Sequence, residues 1–201
     1  MPQSKTEQAL ELVRTMGVLR PRDLAPHSIS RQVLHNLCDR GDVERIGRGL
    51  YTLADTEDIT QHHSLAQASK QIPKGVICLL SALSFHELTT QNPSQVWMAI
   101  GERAWQPELA ASLVRTVRFS GAALEYGIEE HHIEGVDLRV YSPAKTVADC
   151  FKYRNKIGLD VALEALRDCW RQRKATMGQI MEAAKVCRVA NVMRPYLESL
   201  V

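Results

Sequence analysis

Apolar residues recur at helical spacing near the start of the chain. Ala9, Leu10, Leu12, Val13 and Met16 fall on one side of residues 6–16, with Glu7, Gln8, Glu11 and Arg14 on the other. Gly17 ends that predicted helix. Pro21 suits the first turn of a very short helix, and Pro26 is expected to close it. Over residues 30–40 a second helix carries Ile29, Val33, Leu34, Leu37 and Cys38 on one face and stops at Gly41. Ser30 is its expected N-cap, since a serine hydroxyl accepts from a free backbone N–H of the first turn. Residues 42–46 and 50–53 are β-prone and joined by Gly47-Arg48-Gly49, which predicts a β-hairpin. Helix, short helix, capped helix and hairpin, in that order, form the layout of a winged helix-turn-helix.

Residues 54–58 are polar and aperiodic, placing the domain boundary there: residues 1–56 form the winged helix and 57–201 a second domain. In the second domain the pattern predicts a helix over 59–71, a short buried strand or helix lead-in over 76–80, and a helix over 81–88. Strands are expected over 96–100 and 114–119, and a strand pair, 128–133 with 138–141, across the turn 134–137. From residue 144 the pattern is helical, over 144–153, 159–173, 177–186 and 190–199. The fold class is α+β: an N-terminal winged helix-turn-helix followed by a mixed α+β domain with a helical C-terminal tail.

Composition changes this picture little. The chain has 201 residues, of which 45% are hydrophobic and 24% charged, as in an ordinary folded protein and unlike a disordered one. Its longest nearly apolar run, 75–83, is too short to span a bilayer, so no membrane role is expected. The first residues lack the basic-then-apolar pattern of a secretory signal. Five scattered cysteines without a C-x-x-C pair argue against a disulfide framework or zinc ribbon, and a cytoplasmic setting is expected. The net charge of +2 is unevenly spread, with segments of +1 (1–56), −4 (57–151) and +5 (152–201).

A helix entering a major groove needs short polar or basic side chains opposite its buried stripe. Here those are Arg31, Gln32, His35 and Asn36, with Asp39 at the edge. Arginine donates twice to a guanine edge, and glutamine or asparagine pairs bidentately with adenine. Backbone N–H groups near Ser30 suit a phosphate. Arg48, between glycines at the hairpin tip, is placed to reach backbone phosphate or a narrow minor groove; Arg45, Arg20 and Arg22 would add phosphate contacts. The competing reading is that the helix face is merely solvated, or that the winged helix is a protein-interaction module docking a partner directly.

The run Arg45-Ile46-Gly47-Arg48-Gly49-Leu50-Tyr51 resembles the wing of AbiEi-type antitoxins, the regulatory half of AbiE-like type IV toxin–antitoxin systems. Residues 29–34, with Leu37 and Gly41, are similar to that family's recognition helix. Downstream, Tyr141-Ser142-Pro143-Ala144-Lys145-Thr146-Val147-Ala148-Asp149-Cys150-Phe151 resembles the proline-initiated helix carrying Thr-x-x-Asp in the family's C-terminal domain. The resemblance implies a transcriptional autorepressor binding inverted repeats of its own promoter in double-stranded DNA. It also implies a C-terminal domain that counters a nucleotidyltransferase-like toxin, in phage defence by abortive infection, without forming a stable complex with it. The modest basicity of residues 1–56 departs from the family's commoner form. A second basic surface formed by Arg167, Arg171, Arg173 and Lys174, with Lys185 and Arg188 nearby, would compensate; a solvated helix face is the competing reading.

Catalytic readings fail or stay unsupported, and neither enzyme activity, cofactor nor metal is expected. His86-Glu87 is followed by Thr90 where a zinc-protease helix needs its second histidine. The adjacent pairs His62-His63 and His131-His132 diverge in direction and read as surface histidines. Cys38 and Cys78 read as small core residues. Lys145 and Asp149 read as an i,i+4 ion pair rather than a catalytic one. The acidic stretch Glu125, Glu129, Glu130, Glu134 and Asp137 reads as a solvated hairpin edge, and Trp97, Trp105 and Trp170 as core or interface anchors.

Overall fold

Ser4 starts the first helix by a reciprocal cap. Its hydroxyl accepts from Glu7 N at 3.1 Å while the Glu7 carboxylate accepts from Ser4 N at 2.8 Å, and α1 (Lys5–Met16) follows. The computed structural model describes residues 4–47, 49–54, 62–104 and 113–200. After Gly17, Leu19 exchanges two backbone hydrogen bonds with Tyr51, at 2.8 and 3.0 Å. A 3₁₀ helix then spans Pro21–His27, so Pro26 lies inside it instead of closing it. Proline's fixed φ suits such a turn and removes only one donor. The stop comes at Ser28, whose φ of 54° is left-handed.

Helix α2 (Arg31–Asp39) is capped by Ser30, as expected. Strands β1 (Val43–Gly47) and β2 (Leu50–Leu53) pair antiparallel, Val43 opposite Leu53 and Gly47 opposite Leu50, with an irregularity between Arg45 and Gly47. Helix α3 (His63–Gln71) is shorter than predicted; residues 59–61 of that prediction, and most of the 54–58 boundary segment, lie outside the described residues. Ala9, Val13, Leu19, Leu24, Ile29, Leu34, Leu37, Val43 and Tyr51 form one buried cluster, so the stripes read from the sequence meet each other.

The chain divides into two compact units, Met1–Gln71 with His132–Asp137, and Ile72–His131 with Leu138–Val201. The first unit therefore extends past residue 56. Helix α3 joins it, with Lys70 Nζ 4.0 Å from Asp23, and so does the tip of a later hairpin.

The second unit begins with β3 (Val76–Ile77), α4 (Leu79–Phe85), β4 (Val96–Gly101), β5 (Val114–Phe119) and a short α5 (Ala122–Glu125). The hairpin β6 (Ile128–Ile133) and β7 (Val136–Tyr141) follows, and its turn is the pair Glu134-Gly135 rather than four residues. Both turn residues have positive φ, 50° and 68°, as a tight hairpin turn demands. The sheet order is β5-β4-β3-β7-β6; β3 is antiparallel to β4 and parallel to β7, and β4 is parallel to β5. Helices α6 (Pro143–Lys152), α7 (Arg154–Ile157), α8 (Leu159–Arg171), α9 (Met177–Val186) and α10 (Ala190–Glu198) complete the chain. Helix α6 packs against α4, α8, α9 and α10, and all of its residues from Ala144 to Phe151 are buried.

Among the tryptophans expected as core or interface anchors and the cysteines expected in the core, one cysteine is corrected and one tryptophan falls outside. Trp97 is buried, but Trp170 remains 37% exposed because it lies on the outer side of α8, whose buried side is Val161, Ala162, Ala165, Leu166 and Cys169. Trp105 lies outside the described residues. Cys78 is fully buried, whereas Cys38 is only half-buried at the edge of the α2 stripe.

Candidate nucleic-acid interface

Leu34 and Leu37 are almost completely buried, so the rest of α2 must turn outward. Ser30, Arg31, Gln32, His35, Asn36 and Asp39 are all exposed. The Ser30 hydroxyl accepts from Gln32 N at 3.2 Å, which fixes the first turn. One helical turn apart, Gln32 Nε2 donates to Asn36 Oδ1 at 3.3 Å, so two amides are held side by side on the exposed face. The face thus offers one guanidinium, one imidazole and two amides in a row along the helix, a set of donors and acceptors matched to base edges.

The basic residues expected around it are disposed differently from one another. Arg45 is exposed on β1 and donates from Nε to Gly47 O at 3.1 Å. It lies close enough to Cys38 of α2 to oppose the rise in that thiol's pKa caused by burial and Asp39. Arg48 lies outside the described residues. Arg22 is exposed, 3.8 Å from Asp23, while Arg20 is half-buried, and burial followed by the neighbouring Arg22 pulls its pKa down.

Lys70 of α3 joins this group beside Asp23, its pKa lowered chiefly by burial and also by Arg20 and Arg22. Sequence reading missed Lys70 because it lies beyond the polar boundary, and only the packing of α3 brings it to the 3₁₀ helix. Lys5, also missed, donates to His27 O at 3.1 Å. Linear charge counts cannot reveal such gatherings.

Of the acidic stretch and the histidine pairs, His63 and Glu134 depart from the exposed positions expected, while His132 and Asp137 stay exposed. Within the first unit, His63 Nδ1 lies 2.7 Å from Glu134 Oε2, with both side chains about 14% exposed or less, and His63 Nε2 lies 2.8 Å from Gln67 Nε2. His63 is therefore a packed residue with both ring nitrogens engaged, because the hairpin tip brings Glu134 to α3. His132 sits 2.7 Å from Asp137, and Glu129 3.6 Å from His131. No group of three or more histidine, cysteine or acidic side chains suited to a metal occurs among the described residues.

In the second unit, Lys145 and Asp149 form the expected ion pair, but wholly inside the core. The Lys145 ammonium also lies 4.0 Å from the Tyr141 ring centroid, and Cys187 donates to Asp149 Oδ1 at 3.2 Å. Thr146 donates from its hydroxyl to Tyr141 O at 3.0 Å. With no solvent access, this Lys-x-x-x-Asp arrangement organises the core. Among the C-terminal basic residues, Arg167, Arg171, Arg173, Lys174, Lys185 and Arg188 are all exposed; Arg171 pairs with Asp168 at 2.9 Å and Lys174 with Glu87 at 3.5 Å.

No helix among the described residues is long and apolar enough to cross a membrane. No curated protein matches the chain. Among solved structures it is similar to the crystal structure of the RV2827C protein from Mycobacterium tuberculosis, with a TM-score of 0.65 and 11% sequence identity, over 98% of this chain and 82% of that one. At that identity the likeness concerns the fold alone. Over residues 7–54, the span from the first turn of α1 to the end of the β1–β2 hairpin, the chain matches the family model described as transcriptional regulator, AbiEi antitoxin.

Proposed function

We propose that this protein is a DNA-binding autorepressor and the antitoxin of a type IV toxin–antitoxin system. The observation that carries the reading is the α2 face: Arg31, Gln32, His35 and Asn36 exposed over buried Leu34 and Leu37, inside the matched span. In this proposal α2 reads base edges in the major groove of promoter inverted repeats. Arg45, Arg48, Arg20 and Arg22 hold the sugar–phosphate backbone. The Ser30 cap leaves the N-terminal end of α2 facing a phosphate.

The second unit, with its basic C-terminal helices, opposes a nucleotidyltransferase-like toxin in the cytoplasm without holding it in a stable complex. The test for the DNA arm is fluorescence anisotropy of the purified chain on duplexes from its own upstream region, across a salt series. Binding that prefers an inverted repeat and weakens steeply with salt supports the reading, with a slope of about −0.9 per phosphate neutralised. Equal, weak affinity for every duplex at low salt defeats it. For the antitoxin arm, co-expression with the product of the adjacent gene should relieve growth arrest while the two proteins fail to co-purify.

A further inference from the structure

Helix α8 ends in an exposed tryptophan followed by a cationic turn, and a cavity of about 580 Å³ opens there, lined by Trp170, Arg171, Arg173, Ala175, Thr176 and Met177. That volume lies within the range of small-molecule sites. Its walls divide by chemistry. Trp170, Ala175 and Met177 supply an apolar, aromatic side, and the two guanidinium groups supply a cationic side, with no acidic residue among the described lining residues.

The turn beneath is held rigidly. Arg173 N donates to Trp170 O at 3.1 Å and Lys174 N to Cys169 O at 3.0 Å, while Ala175 is buried as an anchor. Thr176 and Gln179 lock the start of α9 by a reciprocal cap, at 2.8 Å from Thr176 N to Gln179 Oε1 and 3.3 Å from Gln179 N to Thr176 Oγ1.

The cations of this turn have different partners. Lys174 is drawn to Glu87, and Gln172 donates to Glu87 O at 3.1 Å, so these two residues face the end of α4. Arg171 is held by Asp168. Arg173 has no ion-pair partner among the described residues, and its backbone takes the left-handed conformation, φ 56°, where glycine is the usual residue after a helix. A flat ring open to solvent beside an unpaired, forked cation matches a ligand that is aromatic at one end and anionic at the other.

We infer that this cavity binds a nucleoside 5′-phosphate, the base stacked on Trp170 against Met177 and the phosphate held by Arg173 with Arg171. Either a free nucleotide or the unpaired end of a nucleic acid strand carries that moiety. The site lies wholly in the second unit and does not depend on the α2 face, so it stands or falls independently of the promoter-binding proposal.

The experiment titrates the full-length protein with adenosine 5′-monophosphate, and separately with a short single-stranded oligonucleotide bearing a 5′-phosphate, following tryptophan emission and calorimetric heat. The parent, Trp170→Leu, Arg173→Gln and, as a cation exposed on α10 away from the cavity lining, Arg194→Gln proteins are compared after circular dichroism has established that each is folded. Saturable binding of the mononucleotide, lost in Trp170→Leu, weakened about tenfold in Arg173→Gln and unchanged in Arg194→Gln, supports the site with a free nucleotide as ligand. The same pattern with the oligonucleotide alone supports it with a strand end as ligand. Absence of binding by both probes, or binding that the Trp170→Leu and Arg173→Gln proteins retain, overturns the proposal.

Discussion

Lys145 Nζ lies 2.5 Å from Asp149 Oδ2, one turn apart on α6, with both side chains completely buried. Burial raises the Asp149 carboxyl above its ordinary range, and the Lys145 ammonium opposes that rise. The pair is completed by the Tyr141 and Phe119 rings, 4.0 and 4.8 Å from the ammonium, and by the Cys187 thiol. Attraction between the partners offsets a desolvation cost that either charge alone could not sustain.

Breaking this pair on one side should therefore be far worse than removing it whole. Lys145→Met is expected to lose about 3–5 kcal/mol of unfolding free energy, because it strands the Asp149 carboxylate in the core. Lys145→Met combined with Asp149→Leu should recover most of that loss. Urea unfolding of the two single variants and the double variant measures the coupling; additive losses would show that the two groups do not depend on each other.

His86 gives the stability a pH dependence. Its Nε2 lies 2.7 Å from Tyr141 O, and burial lowers its pKa below the ordinary 6.5, with His131 and Lys174 adding to the effect and the Tyr141 carbonyl and Glu129 opposing it. Below pH 6.5 the unfolded chain gains a proton that the folded chain resists, so the unfolded state binds more protons and stability falls as the pH drops. Melting temperatures between pH 7.5 and 5 should decline more steeply for the parent than for His86→Gln. Parallel curves would mean that His86 ionises as readily in the fold as outside it.

Gly135 is expected to reject any side chain. Its φ is +68°, and a Cβ there would stand 2.6 Å from Thr15 O and 2.7 Å from Met16 Cα, both rigid backbone at the end of α1. Gly135→Ala should cost about 2–4 kcal/mol, combining left-handed strain with overpacking. Gly41→Ala, with φ +77° after α2 but open space around it, should cost only the strain. Thermal denaturation of the two variants separates the contributions, and equal losses would remove the steric one.

On DNA, Arg31→Ala should lose about 1–3 kcal/mol on the preferred site and relax selection at one base pair. Gln32→Ala should behave similarly at a neighbouring position and also release Asn36 from its hydrogen bond. Arg48→Ala should weaken binding to every duplex alike and reduce the salt slope by about 0.9. Parent-like binding by all three variants would move the contact surface away from α2 and the wing.

Much of the first unit could be read without coordinates. The apolar stripe 29, 33, 34, 37 and 38 identified the buried side of α2, and the face opposite it followed from helical periodicity alone. The Ser30 cap and the paired strands were equally local, each depending on residues two to ten apart. Lys70 was not legible, because its place beside Asp23 depends on where α3 packs. Trp170 was legible only as a core or interface anchor, and the packing of α8 shows that its side is the one left uncovered.

Apart from the one-turn helices α5 and α7, which the pattern did not mark, local sequence placed the bounds of most described helices and strands to within a few residues, and the apolar side of the amphipathic helices, because caps, turns and periodicity act over one or two turns of chain. Tertiary structure decided which charges leave water and which distant ones meet. The burial of Lys145 with Asp149 and the seating of Glu134 against His63 both depend on contacts between distant elements. Nothing in the local pattern encodes how much water those contacts exclude, and that exclusion sets what each charge can do.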